Sequence, residues 1–89
     1  MKIVFGDSNV FEDFMGWAIE DKKIFKKIGE LIRDIQRDPK SGIGKPEQLK
    51  HELSGCWSRR ITEKHRLIYQ VLEDEDMAVI ISCKMHYEI

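Results

Sequence analysis

The stripe Ile24, Phe25, Ile28, Leu31, Ile32 and Ile35 constrains this chain more than any other feature of its sequence. Spacings of i, i+1, i+4, i+7, i+8 and i+11 put these side chains on one side of an α-helix. Lys22, Lys23, Lys26, Lys27, Glu30, Arg33 and Asp34 cover the rest, and the lysines read as a solvated face. Such a helix must lay its stripe against another layer. Asp21 is placed to cap its start, and the restriction that Pro39 puts on Asp38 ends it. A shorter helix precedes it. Asn9 to Glu12 fits a capping box with Asn9 as the cap, and Phe11, Phe14, Met15 and Ala18 recur at helical spacing. Lys2–Phe5, apolar and followed by Gly6-Asp7-Ser8, is a candidate first strand.

The second half of the chain changes period. Residues 40–46 form a Gly-containing loop, and 47–53 are mixed in pattern with room for one helical turn. Three strands follow, roughly at 56–61, 65–72 and 77–87. Thr62-Glu63-Lys64 turns the first pair and Glu73-Asp74-Glu75-Asp76 the second; connections this short make the neighbours antiparallel. The order β-α-α-β-β-β predicts an α+β fold, an antiparallel sheet packed against an N-terminal helical hairpin, as one domain over residues 1–89.

Several function classes are excluded at this level. No apolar run approaches the ~20 residues of a membrane span, and the short apolar start lacks the pattern of a signal peptide, so a cytoplasmic protein is expected. Cys56 and Cys83 lack CxxC spacing and read as free thiols filling apolar space. His51, His65 and His86 have no zinc-like spacing, and the acids cluster only in the 73–76 turn, which reads as a solvated hairpin tip. No metal and no cofactor are expected.

Charge is distributed unevenly. The formal net charge is -1. Between Lys45 and Arg66, however, six cations (Lys45, Lys50, Arg59, Arg60, Lys64, Arg66) face only three acids (Glu47, Glu52, Glu63). A basic island in an otherwise acidic chain favours a localised anion site over non-specific coating of nucleic acid. Alternation puts Trp57, Arg59 and Ile61 on one face and Ser58 and Arg60 on the other. With a three-residue turn at 62–64, Ile61 opposes His65 and Arg60 opposes Arg66. Opposed guanidiniums repel unless a carboxylate such as Glu47 or Glu52 neutralises them, or an anion sits between them. Planar guanidinium forks suit phosphate better than lysine does.

The last strand ends in His86-Tyr87, and Glu47 lies just before the sheet. A carboxylate, a His, a Tyr and an Arg pair are a workable set for cleaving RNA without metal. One group takes the 2′-OH proton, cations stabilise the phosphorane, and one group protonates the departing 5′-oxygen. An aromatic ring holds a base by stacking.

Three segments carry a resemblance: "DKKIFKKIGELIRDIQRDP" (21–39), "GIGKPEQLKHELSGCWSRRITEKHRLIYQV" (42–71) and "CKMHY" (83–87). Together with Trp17 they resemble the Txe/YoeB toxins of the RelE superfamily, over Lys2 to Tyr87. The resemblance implies a RelE-like fold similar to microbial RNases. It implies a metal-independent endoribonuclease that cuts messenger RNA in the ribosomal A site. The products would carry a 2′,3′-cyclic or 3′-phosphate and a 5′-hydroxyl. It also implies neutralisation by a YefM/Phd-type antitoxin, operator DNA bound only through that complex, and homodimers in some members. Carried over by position, the catalytic residues fall on Glu47 (general base), Arg66 (phosphate), His86 (general acid) and Tyr87. Lys50, Arg59, Arg60 and His65 are expected at RNA phosphates. The chain departs from the family's pattern at Cys56, where an aromatic is expected, in a longer 73–76 turn, and in Glu88-Ile89 beyond Tyr87.

Overall fold

The structure, a computed structural model, describes residues 1–84. Strand β1 (Lys2–Phe5) leads into helices α1 (Ser8–Glu20) and α2 (Lys22–Arg37), followed by strands β2 (Glu47–Gln48), β3 (Cys56–Arg60), β4 (Arg66–Leu72) and β5 (Met77–Ser82). The five strands form one sheet in the order β1-β5-β4-β3-β2. All neighbours are antiparallel except β1 and β5, which pair in parallel, Ile3 beside Ala78 and Phe5 beside Ile80. Both helices lie on one face. The α+β prediction holds. The parallel edge follows from the two helices, which return the chain to the far side of the sheet before β2 begins.

The predicted stripe is the core. Ile28, Leu31 and Ile35 are fully buried, packed with Leu67, Tyr69, Ala78 and Ile80 from the sheet. Each such aliphatic side chain contributes about 1.5–3 kcal/mol through burial. Asp21 alone links the helices. Its N–H closes α1 on the Trp17 carbonyl (2.9 Å), and its carboxylate accepts from the Lys23 and Ile24 N–H groups. This is the cap the sequence predicted.

The start of α1 differs from expectation. The cap is Asp7, whose carboxylate accepts from Val10 N–H at 2.9 Å, and Asn9 lies inside the helix. Gly6 N–H bonds the Ile80 carbonyl (2.8 Å), so the β1–β5 pairing delivers Asp7 in the extended conformation that a cap requires. The inward face of α1 is consequently Val10, Phe14 and Trp17, while Phe11 and Met15 are half exposed.

A smaller apolar cluster of Leu49, Cys56 and Ile68 covers part of the sheet's other face, supported by Leu53. The segment after β2 is a single 3-10 turn (His51–Leu53). Glu47 itself is strand, paired with Ser58. The one helical turn read into 47–53 is thus confined to its second half, because β3 offers an open edge to Glu47–Gln48.

Candidate functional site

Pairing across the 62–64 turn sets the site. Arg60 opposes Arg66, as alternation predicted, and Ile61 N–H bonds the His65 carbonyl (3.0 Å). The Thr62 hydroxyl oxygen accepts from the Lys64 and His65 N–H groups, which closes the turn. Glu47 opposes Ser58, and Ser58 opposes Ile68, so Glu47, Arg60 and Arg66 all lie on the sheet face turned away from the helices. Glu47 lies two strands and two residues from Arg66, a Cα separation of roughly 12 Å at ordinary strand spacings.

The two arginines tolerate one another without a carboxylate. Among the described residues neither makes an ion pair. Instead the Arg66 Nη1 donates to the carbonyls of Thr62 (2.6 Å), Glu63 (3.0 Å) and His65 (3.2 Å). These turn dipoles hold one edge of the guanidinium. Arg60 is exposed, and its own N–H bonds the Gly44 carbonyl at 2.7 Å, which ties the 38–46 loop to β3. Glu47 and Lys50 are exposed as well. Lys45 (φ 52°) and His51 (φ 59°) adopt the left-handed conformation on either side of them. Non-glycine residues rarely occupy that region, and they cluster at functional segments. No sequence signal marked these two positions.

Arg59 corrects a prediction. It does not reach any surface where RNA could lie, because it is completely buried beneath the helical layer. Its Nε donates to the Tyr69 hydroxyl (3.0 Å). Nη1 donates to the Asp34 carboxylate and the Ile43 carbonyl (3.1 Å), and Nη2 to the carbonyls of Asp38 (2.7 Å) and Ser41 (3.0 Å). All five N–H groups are used, as a buried guanidinium requires. The Tyr69 hydroxyl in turn donates to the Pro39 carbonyl at 2.6 Å. Asp34, read from sequence as part of the solvated face, is buried against Arg59 and also accepts from Ile43 N–H (2.9 Å). The Arg59 hydrogen bond, aided by the Ile43 N–H, holds the Asp34 carboxyl below its usual range. Gly42 (φ +126°) fits only because it lacks a Cβ, which would run into the Asp34 carboxylate. This buried network shapes the loop that delivers Glu47, and sequence reasoning missed it.

His65 is half buried, its ring edge-on to Trp17 at 5.0 Å. β5 ends at Ser82, with a register shift opposite Ile68/Tyr69, whereas the sequence suggested a strand running to 87. His86 and Tyr87 lie outside the described residues. Cys56 and Cys83 are free and buried, and burial pushes the Cys83 thiol up to about 11, so both fill apolar space as predicted.

Comparison with known proteins decides the family. Residues 6–87 match the model of the YoeB-like toxin of bacterial type II toxin–antitoxin systems. The chain belongs to that family. It is 51% identical to Toxin YoeB of Escherichia coli K12, over 98% of this chain and 100% of the relative. The YoeB/ParE toxin from Agrobacterium tumefaciens superposes with a TM-score of 0.90 at 41% identity, covering 98% of this chain and 100% of that one. YoeB of Staphylococcus aureus, solved as a YoeB–YefM complex (44% identity) and as a dimer (46%), superposes with a TM-score of 0.84 in each case, at 98% coverage of both chains.

Proposed function

We propose that this chain is the toxin of a toxin–antitoxin pair and a metal-independent endoribonuclease, cutting messenger RNA in the ribosomal A site and stopping translation in the cytoplasm. The reading rests on one arrangement: Glu47, Arg60 and Arg66 share an open sheet face, and no carboxylate pairs with either arginine among the described residues. In this reaction Glu47 takes the proton from the ribose 2′-OH, which attacks the adjacent phosphorus. Arg66, oriented by the turn carbonyls, and Arg60 stabilise the charge on the phosphorane. His86 protonates the departing 5′-oxygen, and Tyr87 stacks on a base. The products are a 2′,3′-cyclic phosphate, which opens to a 3′-phosphate, and a 5′-hydroxyl. Lys50 contacts the neighbouring backbone phosphate.

The partners follow from relatives of known structure. A YefM-type antitoxin would bind and silence the chain, and two copies would associate, as in the YoeB–YefM complex and the YoeB dimer of S. aureus. Operator DNA would be met only through the antitoxin complex, since a chain of net charge -1 neutralises few phosphates by itself.

The deciding experiment is a cleavage assay on a defined message, with and without ribosomes stalled at a known codon, mapping both new ends. A cut within the A-site codon that leaves a 5′-hydroxyl, seen only with ribosomes, is the expected result. Inhibition of translation with intact message would replace the nuclease by a non-cleaving binder. No inhibition without the antitoxin would point to a co-repressor partner.

A further inference from the structure

His65 was expected at an RNA phosphate, but its surroundings suit a different task. A carbonyl only accepts, so the 2.9 Å contact with the Lys84 carbonyl puts the proton on Nδ1. The His65 ring stands edge-on to Trp17, which is 3% exposed and donates from Nε1 to the Cys83 carbonyl at 3.1 Å. Two consecutive carbonyls, 83 and 84, are therefore held by two side chains that also hold each other. Lys84 is fixed further by Glu20 (3.1 Å) and by the Trp17 ring, 5.3 Å from its ammonium. All of this happens just where the ladder of β5 has stopped, at Ser82. Carbonyls past a strand end usually turn to water, and chain ends fray unless tied down.

We propose that Trp17 and His65 form an anchor that sets where the segment after Lys84 begins, making His65 a positioning residue that acts through His86. This rests on the nuclease reading, in which His86 is the general acid. His86 follows the clamped residue by two positions in the sequence, and two residues of chain span at most about 7 Å. An acid that must reach one leaving oxygen tolerates little looseness in its starting point.

The test compares His65→Asn, His65→Phe and His65→Ala in single-turnover cleavage on stalled ribosomes, beside wild type. Asparagine places an N–H the same number of bonds from Cα as Nδ1, so it keeps the donor and loses the ring. Phenylalanine keeps a ring against Trp17 and loses the donor. The expected result is that Phe and Ala lower the saturating rate on the order of 10- to 100-fold, with the half-saturating toxin concentration unchanged, while Asn recovers most of that rate. Equal loss in Asn and Ala, a change confined to the half-saturating concentration, or full activity in all three would overturn the proposal. Thermal unfolding of each variant separates loss of fold from loss of position. Should wild type not cut at all, exchange of the Trp17 indole N–H decides. Faster exchange in Ala and Phe but not in Asn supports the anchor while the nuclease reading falls. Unchanged exchange in all three removes the anchor too.

Discussion

On the helix side of β3, Arg59 spends every N–H on a protein acceptor and carries its charge in full burial against Asp34. On the other side, one residue later, Arg60 is exposed and its charge is answered by no carboxylate among the described residues. The same side chain does opposite work at adjacent positions. The pleat alone separates them: one face is covered by the helical hairpin and the other is left open. Cations in a run are therefore not a single patch. A buried guanidinium stabilises only as part of a complete set of acceptors, whereas an exposed one stays available to a ligand.

The sharpest way to break this contrast is to remove one side of the buried pair. Asp34→Ala leaves the Arg59 charge uncompensated and should cost about 3–5 kcal/mol, a large part of a small domain's stability. Arg60→Ala should change stability by less than about 0.5 kcal/mol. Urea unfolding of both variants measures the difference, and similar costs would erase the distinction between the faces. On the open face the effect belongs to activity. Glu47→Ala and Arg66→Ala, like His86→Ala, should each lower cleavage on the order of 10²- to 10⁴-fold and abolish growth inhibition with the fold intact. Three variants that remain toxic at equal expression would rule out the catalytic assignment.

Gly42→Ala sharpens the buried side. It meets a left-handed backbone and the Asp34 carboxylate together, and should cost about 1–3 kcal/mol although the residue is exposed. A neutral result would mean that the loop yields without disturbing Arg59. The smallest effect is in pH. The native carboxyl of Asp34 lies below the ordinary value of 3.8, so its ionised form favours folding. That contribution is fully present above the ordinary value and is lost as pH falls through the lowered native one. The stability difference between wild type and Asp34→Asn should therefore be flat from about pH 7 to 5 and shrink only in more acid solution. A difference that already declines near neutrality would point to another titrating group.

Much of the fold was legible because local periodicity carries it. The stripe on α2, the Asp21 cap, the 62–64 turn and the Arg60–Arg66 opposition each depend on residues close in sequence. The misses share one cause. Asp7 caps α1 because a strand from the far end of the chain fixes Gly6. Glu47 is strand because β3 accepts it at an edge. Asp34 sits on the polar side of α2 by spacing, yet it is buried because an arginine 25 positions later meets it. For the candidate site, alternation put Arg60 and Arg66 on one face, Glu47 stood out as a carboxylate just before the sheet, and a resemblance gave it the role of general base. The turn carbonyls on Arg66 and the anchor at Cys83 and Lys84 had no local signature.

The sequence by itself determined which residues share the apolar stripe of α2 and which alternate along the 56–72 hairpin, and hence that Arg59 and Arg60 must part company. A pleat and a helical turn are properties of a few consecutive dihedrals, so neighbouring residues suffice to set them. Only the tertiary structure decided which of the two sides would be covered. Coverage depends on where α1 and α2 come to rest on the sheet, and that is settled by contacts between residues far apart in the chain. It made Arg59 a strut with Asp34, left Arg60 and Arg66 on the same uncovered face as Glu47, and brought the His65 ring against Trp17.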